Sequence, residues 1–272
     1  MLAADAGPRK KPGAKSAFGN PRAAEREYAR RLKLIAKHIG DIIRGFPIGD
    51  PASLGPIVQA MHAYARTLDP WAKATAQRML YDVNRQNAAG WAALSKGMSR
   101  ALAAELRDTP IGEVMRALLA SQVELITSLP IDAANRVHEW TQKGMLDGTR
   151  ADAVAEAILQ TADVTAGRAM LIARTETART STALTQARAL HVGSEGYIWR
   201  TSRDGTVRPS PYDMSPKEFA KMNTTARGSH RLLEGTFHRW DQPPISGSAG
   251  ERSHPGCIYN CRCYAEVVLP AR

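Results

Sequence analysis

The stretch RAAEREYARRLKLIAKHIGDIIRGF, residues 22–46, decides how most of this chain is read. Its apolar side chains Tyr28, Leu32, Ile35, Ile39, Ile42 and Phe46 recur at intervals of four and three, while arginines, lysines and acids fill the other positions. That spacing places one apolar seam along an α-helix and a charged face opposite it. Gly45, Pro47 and Gly49 end the pattern. Outward from this helix the same period returns: Leu54, Ile57, Val58, Met61, Tyr64 and Ala65 predict a helix over 52–67. Asp69-Pro70, a capping acid and a first-turn proline, predicts the start of another, running to about Arg107 through Trp91, Leu94, Met98, Leu102 and Leu106. A helix is expected over 111–128, ended by Pro130, with a short one over 131–143. Thr149 with Asp152 forms a capping-box pattern before a helix through Leu159, and a last long helix, rich in small residues, is expected over 164–191.

The pattern changes near Val192. Tyr197, Trp199 and Thr201 alternate with Ile198, Arg200 and Ser202, which is the period of a strand. Asp204-Gly205 reads as a hairpin turn into residues 206–208, and 237–241 and 264–269 also suit strands. The expected fold class is therefore α+β: a mostly α-helical N-terminal region followed by a small, loop-rich α+β C-terminal module. Four segments are expected: a basic arm at 1–21, a helical region at 22–110, a helical lead-in at 111–191, and the module at 192–272.

Composition narrows the function classes. With 43% hydrophobic and 23% charged residues, 272 residues can build a real core. The net charge is +11, and residues 1–40 carry ten lysines and arginines against three acids. Such a balance favours a polyanionic neighbour. Arg9, Lys10, Lys11, Lys15, Arg22, Arg26, Arg30 and Arg31 are the candidate DNA contacts, expected to bind phosphates without sequence preference; a solvated tail would carry the same charges. No run of uninterrupted apolar residues reaches membrane-spanning length, and the N-terminus lacks the basic and apolar regions of a secretory signal. Three cysteines, all between 257 and 263, do not form a secreted disulfide framework, so synthesis in the cytosol and no membrane partner are expected.

The C-terminal half carries an ordered series of short motifs: Ile172-Ala173-Arg174-Thr175-Glu176-Thr177; Trp199-Arg200-Thr201 with Asp204-Gly205-Thr206-Val207-Arg208; Ser229-His230 leading to Leu233-Glu234-Gly235; Trp240-Asp241; His254-Pro255-Gly256; and Asn260-Cys261-Arg262-Cys263. This series resembles the phage Mu F-like head morphogenesis family, the minor head proteins of tailed phages, over about residues 110–269. The resemblance departs at 209–227, which separates the Asp204 to Arg208 motif from His230. It implies Arg174, Glu176, Trp199, Asp204, Arg208, His230, Gly235, Asn260, Cys261 and Cys263 as the family's motif residues. It also implies a structural virion component, made in the host cytoplasm and built into the head. Its partners would be portal, capsid or scaffold proteins, with packaged double-stranded DNA nearby, and it would have no small-molecule substrate and no catalytic activity.

Three chemistries compete with that expectation. His254, Cys257, Cys261 and Cys263 offer four metal donors in the spacing H-x2-C-x3-C-x-C, so a structural zinc competes with cysteines that pack as small hydrophobes, and no cofactor is otherwise expected. Asp204, Arg208, His230, His238 and His254 could supply the acid, base and phosphate clamp of a delivered nuclease; the same residues could tie loops together, His230 as a satisfied buried histidine. A nucleophilic cysteine lacks a local signature, and Glu176 reads as an i, i+3 partner of Arg179. A DNA-binding packaging factor is the remaining alternative.

Overall fold

The computed structural model describes residues 18–48, 50–96, 103–104, 106, 109–147, 149–202, 230, 232–247 and 250–270. Five long helices occupy most of them: α1 (Arg22–Arg44), α2 (Leu54–Thr67), α3 (Asp69–Ser95), α4 (Gly112–Asp147) and α5 (Ala151–His191). Three short strands follow, β1 (Gly196–Arg200), β2 (Phe237–Arg239) and β3 (Tyr264–Val268), in an antiparallel sheet of order β2-β1-β3. The α+β class expected from the sequence is the one observed.

The α1 seam is buried through Tyr28, Leu32, Ile35 and Ile39; toward the helix end Ile43 takes the inaccessible position, and Ile42 and Phe46 are only partly buried. They join Met61 of α2, Leu80 and Val83 of α3, Ile126, Leu129 and Val137 of α4, and Ala169 and Ala173 of α5 in one core. That core crosses position 110 without a break. Small residues let α1 and α5 approach closely; a Cβ on Gly40 would come within 3.2 Å of Ala162.

Two interruptions expected from the sequence do not occur. Pro130 lies inside α4, fully buried, and the helix continues to Asp147. The proline removes one ladder hydrogen bond, but Ile126 and Leu129 before it and Ala133, Ala134 and Val137 after it lie on one continuous buried seam. Packing on both sides holds the helix through the break. Likewise the helices expected over 149–159 and 164–191 are one: Thr161, in the expected break, and Thr165, one turn on, are both buried, and the Thr165 hydroxyl donates to the Thr161 carbonyl at 2.7 Å. The Thr149 cap is not formed; α5 starts after Arg150 without a side-chain cap. At α3, Leu68 takes the capping position and Asp69 instead pairs with Lys73 at 2.9 Å.

α4 is long and apolar enough to cross a membrane by length and composition alone. Its seam, however, carries Gln122, fully buried, which accepts from the Tyr28 hydroxyl at 2.9 Å and donates to Glu176 at 2.7 Å.

A second core lies between the sheet and the ends of α3 and α5. Tyr197, Trp199, Ala265 and Val267 pack with Trp240, Cys261 and Cys263, and with Phe18, Trp91 and Ala189 from the helical body. The alternation predicted for the strands is seen in their burial, and on β3 it extends upstream: Cys261, Cys263, Ala265 and Val267 are buried, while Arg262, Tyr264 and Glu266 are half-buried on the other side.

Candidate functional site

The motif residues fall into two adjoining groups. The first is a clamp that seats the loop before β3 on helices α1 and α5. Arg174 on α5 donates to the Asn260 side chain, and the Asn260 amide donates to the Thr175 hydroxyl at 3.1 Å. Arg179 donates to the Cys257 carbonyl at 3.2 Å, and the Thr182 hydroxyl to the Pro255 carbonyl at 2.6 Å. Arg262 crosses to α1, where Glu25 accepts it at 2.8 Å and Arg174 at 3.4 Å. The Asn20 side chain donates to the Arg262 carbonyl.

Two backbone positions make this seating possible. Asn260 adopts φ +62, a left-handed conformation that asparagine tolerates better than most residues. Gly256 has φ +82, and a Cβ there would meet the Cys263 carbonyl at 3.1 Å, Thr182 at 3.2 Å and Ala178 at 3.3 Å. Glycine is required at 256 for conformation and for space.

Behind the clamp lies a buried polar relay. Tyr28, Gln122, Glu176 and Arg179 form one chain, with Glu176 and Arg179 at 3.0 Å. The i, i+3 pairing expected for Glu176 is present, but Glu176 is 4% exposed, so it is a core residue rather than a solvated one. Burial, and then the negative charge of Glu176, raise the Tyr28 phenol well above its ordinary range, so it remains a donor.

The second group is a cluster of His230, Cys261 and Cys263, whose donor atoms all lie within 4.8 Å of one another. The His230 Nδ1 is 3.4 Å from the Cys261 sulfur and 3.8 Å from that of Cys263. Its Nε2 is 2.9 Å from the Ser246 carbonyl, which can only accept, so Nε2 carries a proton. The Cys263 amide points at the Cys261 sulfur at 3.4 Å. Trp199 packs edge-on to the His230 ring at 5.4 Å.

Electrostatically the two thiols are unequal. The Cys263 thiol hydrogen-bonds to Cys261 and, with His230 and against the effect of burial, holds Cys261 well below the usual thiol range. Cys263 is correspondingly pushed far up, by that same hydrogen bond and by burial. For His230, burial works most strongly against the imidazolium, but the hydrogen bond and charge of Cys261 with the Ser246 carbonyl outweigh it and raise the pKa. Cys261 is thus the more acidic of the two thiols, and both lie in contact with His230.

The metal set expected from the sequence needs correction. His254 is not with Cys261 and Cys263; its Nδ1 takes the Tyr197 hydroxyl at 3.0 Å, and its ring packs against Tyr197 and Trp240. Cys257 is also outside the cluster, and burial pushes its thiol up to about 12. His230 takes their place. The signal that could have found it was the co-occurrence of one histidine and a Cys-x-Cys pair among the motifs; proximity along the chain pointed to His254 instead.

The remaining motif residues support the sheet. Glu234 accepts from the Thr201 amide and hydroxyl at 2.5 and 2.7 Å, and Arg200 bridges Glu266 at 2.5 Å and Glu234 at 3.5 Å. Gly235, at φ +80, donates to the Trp199 carbonyl at 2.9 Å. Asp204 and Arg208, with the expected hairpin turn, lie outside the described residues, as do Arg9, Lys10, Lys11 and Lys15. Of the described DNA-contact candidates, Arg22, Arg26 and Arg30 are exposed on α1; Arg30 and Arg31 both bind Glu27, at 2.8 Å each, and these bonds lower its carboxyl to about 2. An apolar recess between α2, α4 and α5, walled by Ile57, Val137, Met145, Val154 and Ile158, contains none of the motif residues.

Residues 135–221 match the family described as Phage Mu protein F like protein. A protein of Haemophilus influenzae that bears only the description "Uncharacterized protein" is 31% identical over 169 residues, which are 62% of this chain and 32% of that protein. The chain thus spans about a third of the length of this relative. No solved structure matches the chain.

Proposed function

Starting from the Phage Mu F-like segment at 135–221, we propose that this chain is a phage head morphogenesis protein: a structural component of the head that acts in procapsid assembly beside the portal. The observation that carries this reading is the use made of the motif residues. Arg174, Glu176, Asn260 and the residues around them are spent on joining two helices to one loop. They form a seat for the C-terminal module, which is what a docking component needs. Of the histidines weighed for the nuclease alternative, His230 faces two thiols, His238 bonds Thr236 at 2.7 Å, and His254 bonds Tyr197.

Portal, capsid or scaffold proteins are the partners this reading calls for, and the head is its destination. The test is co-sedimentation with the purified portal oligomer. Binding that survives deletion of residues 1–21 is the expected result; no binding by the intact chain would refute the reading. DNA cleavage abolished by His230→Ala with the fold intact would replace it with the effector alternative.

One observation favours a secondary contact with packaged DNA. Arg22, Arg26, Arg30, Lys33 and Lys37 are all exposed along the outer face of α1. Phosphate binding by such a row loses affinity steeply with salt. Weak binding with a flat salt dependence would remove DNA from the account.

A further inference from the structure

We propose that His230, Cys261 and Cys263 bind one zinc ion, with a water in the fourth position, and that this ion staples the sheet module. The inference concerns this cluster alone and does not depend on the role in head assembly.

Geometry is the first support. A tetrahedral zinc with Zn–S of about 2.3 Å and Zn–N of about 2.0 Å has ligand-to-ligand edges of roughly 3.5 to 3.8 Å. The His230 Nδ1 already stands 3.4 and 3.8 Å from the two sulfurs, and all three donor atoms lie within 4.8 Å of one another. An ion fits between them with side-chain adjustments of no more than about 1 Å, the most that the 4.8 Å bound requires of the two sulfurs. Two thiolates and an imidazole are also the donor types zinc prefers, and they leave one position open as other three-ligand sites do.

The surroundings supply independent support. A ligating histidine ordinarily gives its other ring N–H to a carbonyl or carboxylate, which fixes the tautomer. The Ser246 carbonyl does this at His230 Nε2, leaving Nδ1 directed at the sulfurs. Ser246 is itself held: its hydroxyl bonds to Ser253 at 3.1 and 3.0 Å, and Ile245 bridges Arg252 beside it. The Trp199 indole N–H is fully buried beside the cluster and has no hydrogen-bond partner among the described residues, so the site holds a buried donor that still lacks an acceptor.

The position of the cluster explains what the ion would do. His230 precedes β2, and the cysteines lead into β3, so the ion would tie the two outer sides of the sheet across Trp199 of central β1. The sheet has only three strands of three to five residues, and a metal would add a cross-link to the packing that holds it on the helical body.

The experiment uses the full chain, purified without added metal, then stripped with a chelator and titrated with zinc and with cobalt. About one equivalent of metal per chain is expected, with thiolate-to-cobalt charge-transfer absorption in the near ultraviolet. Cys261→Ser, Cys263→Ser and His230→Ala are expected to lose it, whereas Cys257→Ser and His254→Gln keep it. Should the losing variants fail to fold, His230→Cys decides: it is expected to retain the ion, with a third sulfur in the X-ray absorption spectrum. In the unaltered chain that spectrum should contain two sulfurs at about 2.3 Å and one nitrogen at about 2.0 Å. A chain that binds neither zinc nor cobalt overturns the proposal. So does retention by Cys261→Ser, or loss on Cys257→Ser.

Discussion

Removing the Glu25 carboxylate should loosen the C-terminal loop from the helical body. Glu25 sits in the first turn of α1, 13% exposed, and accepts Arg262 at 2.8 Å and Arg174 at 3.4 Å. In Glu25→Ala both guanidinium groups lose their carboxylate in a place where water reaches them poorly. Breaking a fully buried ion pair costs about 3–5 kcal/mol. Arg262 and Arg174 keep 20% and 29% exposure, so solvent screening brings the expected cost down to about 2 kcal/mol. For a chain of this length that is roughly a 4 °C fall in the thermal midpoint. Part of the loss, about 0.3–1 kcal/mol, is the favourable placement of an acid at a helix N-terminus and has nothing to do with Arg262. A double-mutant cycle separates the two. With Arg262→Ala added, no orphaned charge remains at 262, and the pair should be less than additive by about 1 kcal/mol. Chemical denaturation of the four proteins measures it. Strict additivity, or a Glu25→Ala midpoint within about 1 °C of the parent, would mean that the loop is not held through this contact.

Other perturbations probe neighbouring contacts. Gln122→Leu leaves the Tyr28 hydroxyl and the Glu176 carboxylate without their shared partner inside the core; a loss of about 2–4 kcal/mol is expected in denaturant unfolding. Gly256→Ala forces a side chain into a left-handed position already within 3.1 Å of the Cys263 carbonyl; it should cost about 1–3 kcal/mol, and a neutral result would show that the loop can shift. His254 has its pKa lowered by burial, and then by the charge of His238. The unfolded chain therefore takes up the proton first, and stability should fall as pH drops through the ordinary histidine value near 6.5, an effect that His254→Gln removes from pH-dependent melts.

Much of this architecture is legible in the residues themselves. The 4-3-4-3 spacing from Tyr28 to Phe46 is a one-dimensional record of a buried seam, and the alternation around Trp199 records a strand. What the sequence conceals is where packing overrides local preference. Pro130 reads as a stop because proline removes a hydrogen bond locally, whereas the seam from Ile126 to Val137 that carries α4 through it is set by α2, α3 and α5. Thr161 falls in the expected break at 160–163, yet it is buried inside α5, as is Thr165 one turn on. The cysteine cluster has the same lesson at longer range. Arg262, between two cysteines, faces the opposite side from them, as the local period of a strand requires. That His230 and not His254 meets the sulfurs depends on chain closure over 31 residues, which no local spacing encodes.

If the chain enters the head as proposed, the seat formed by the C-terminal motifs is what carries it there. Quantitative mass spectrometry of purified procapsids, assembled with either the parent chain or Arg174→Glu, tests this directly, because that change sets a like charge against Glu25 and removes the donor to Asn260. The parent chain should be present in the particles and the variant strongly depleted while still soluble and folded. Particles that lack the parent chain, or that take up both forms equally, would contradict the account.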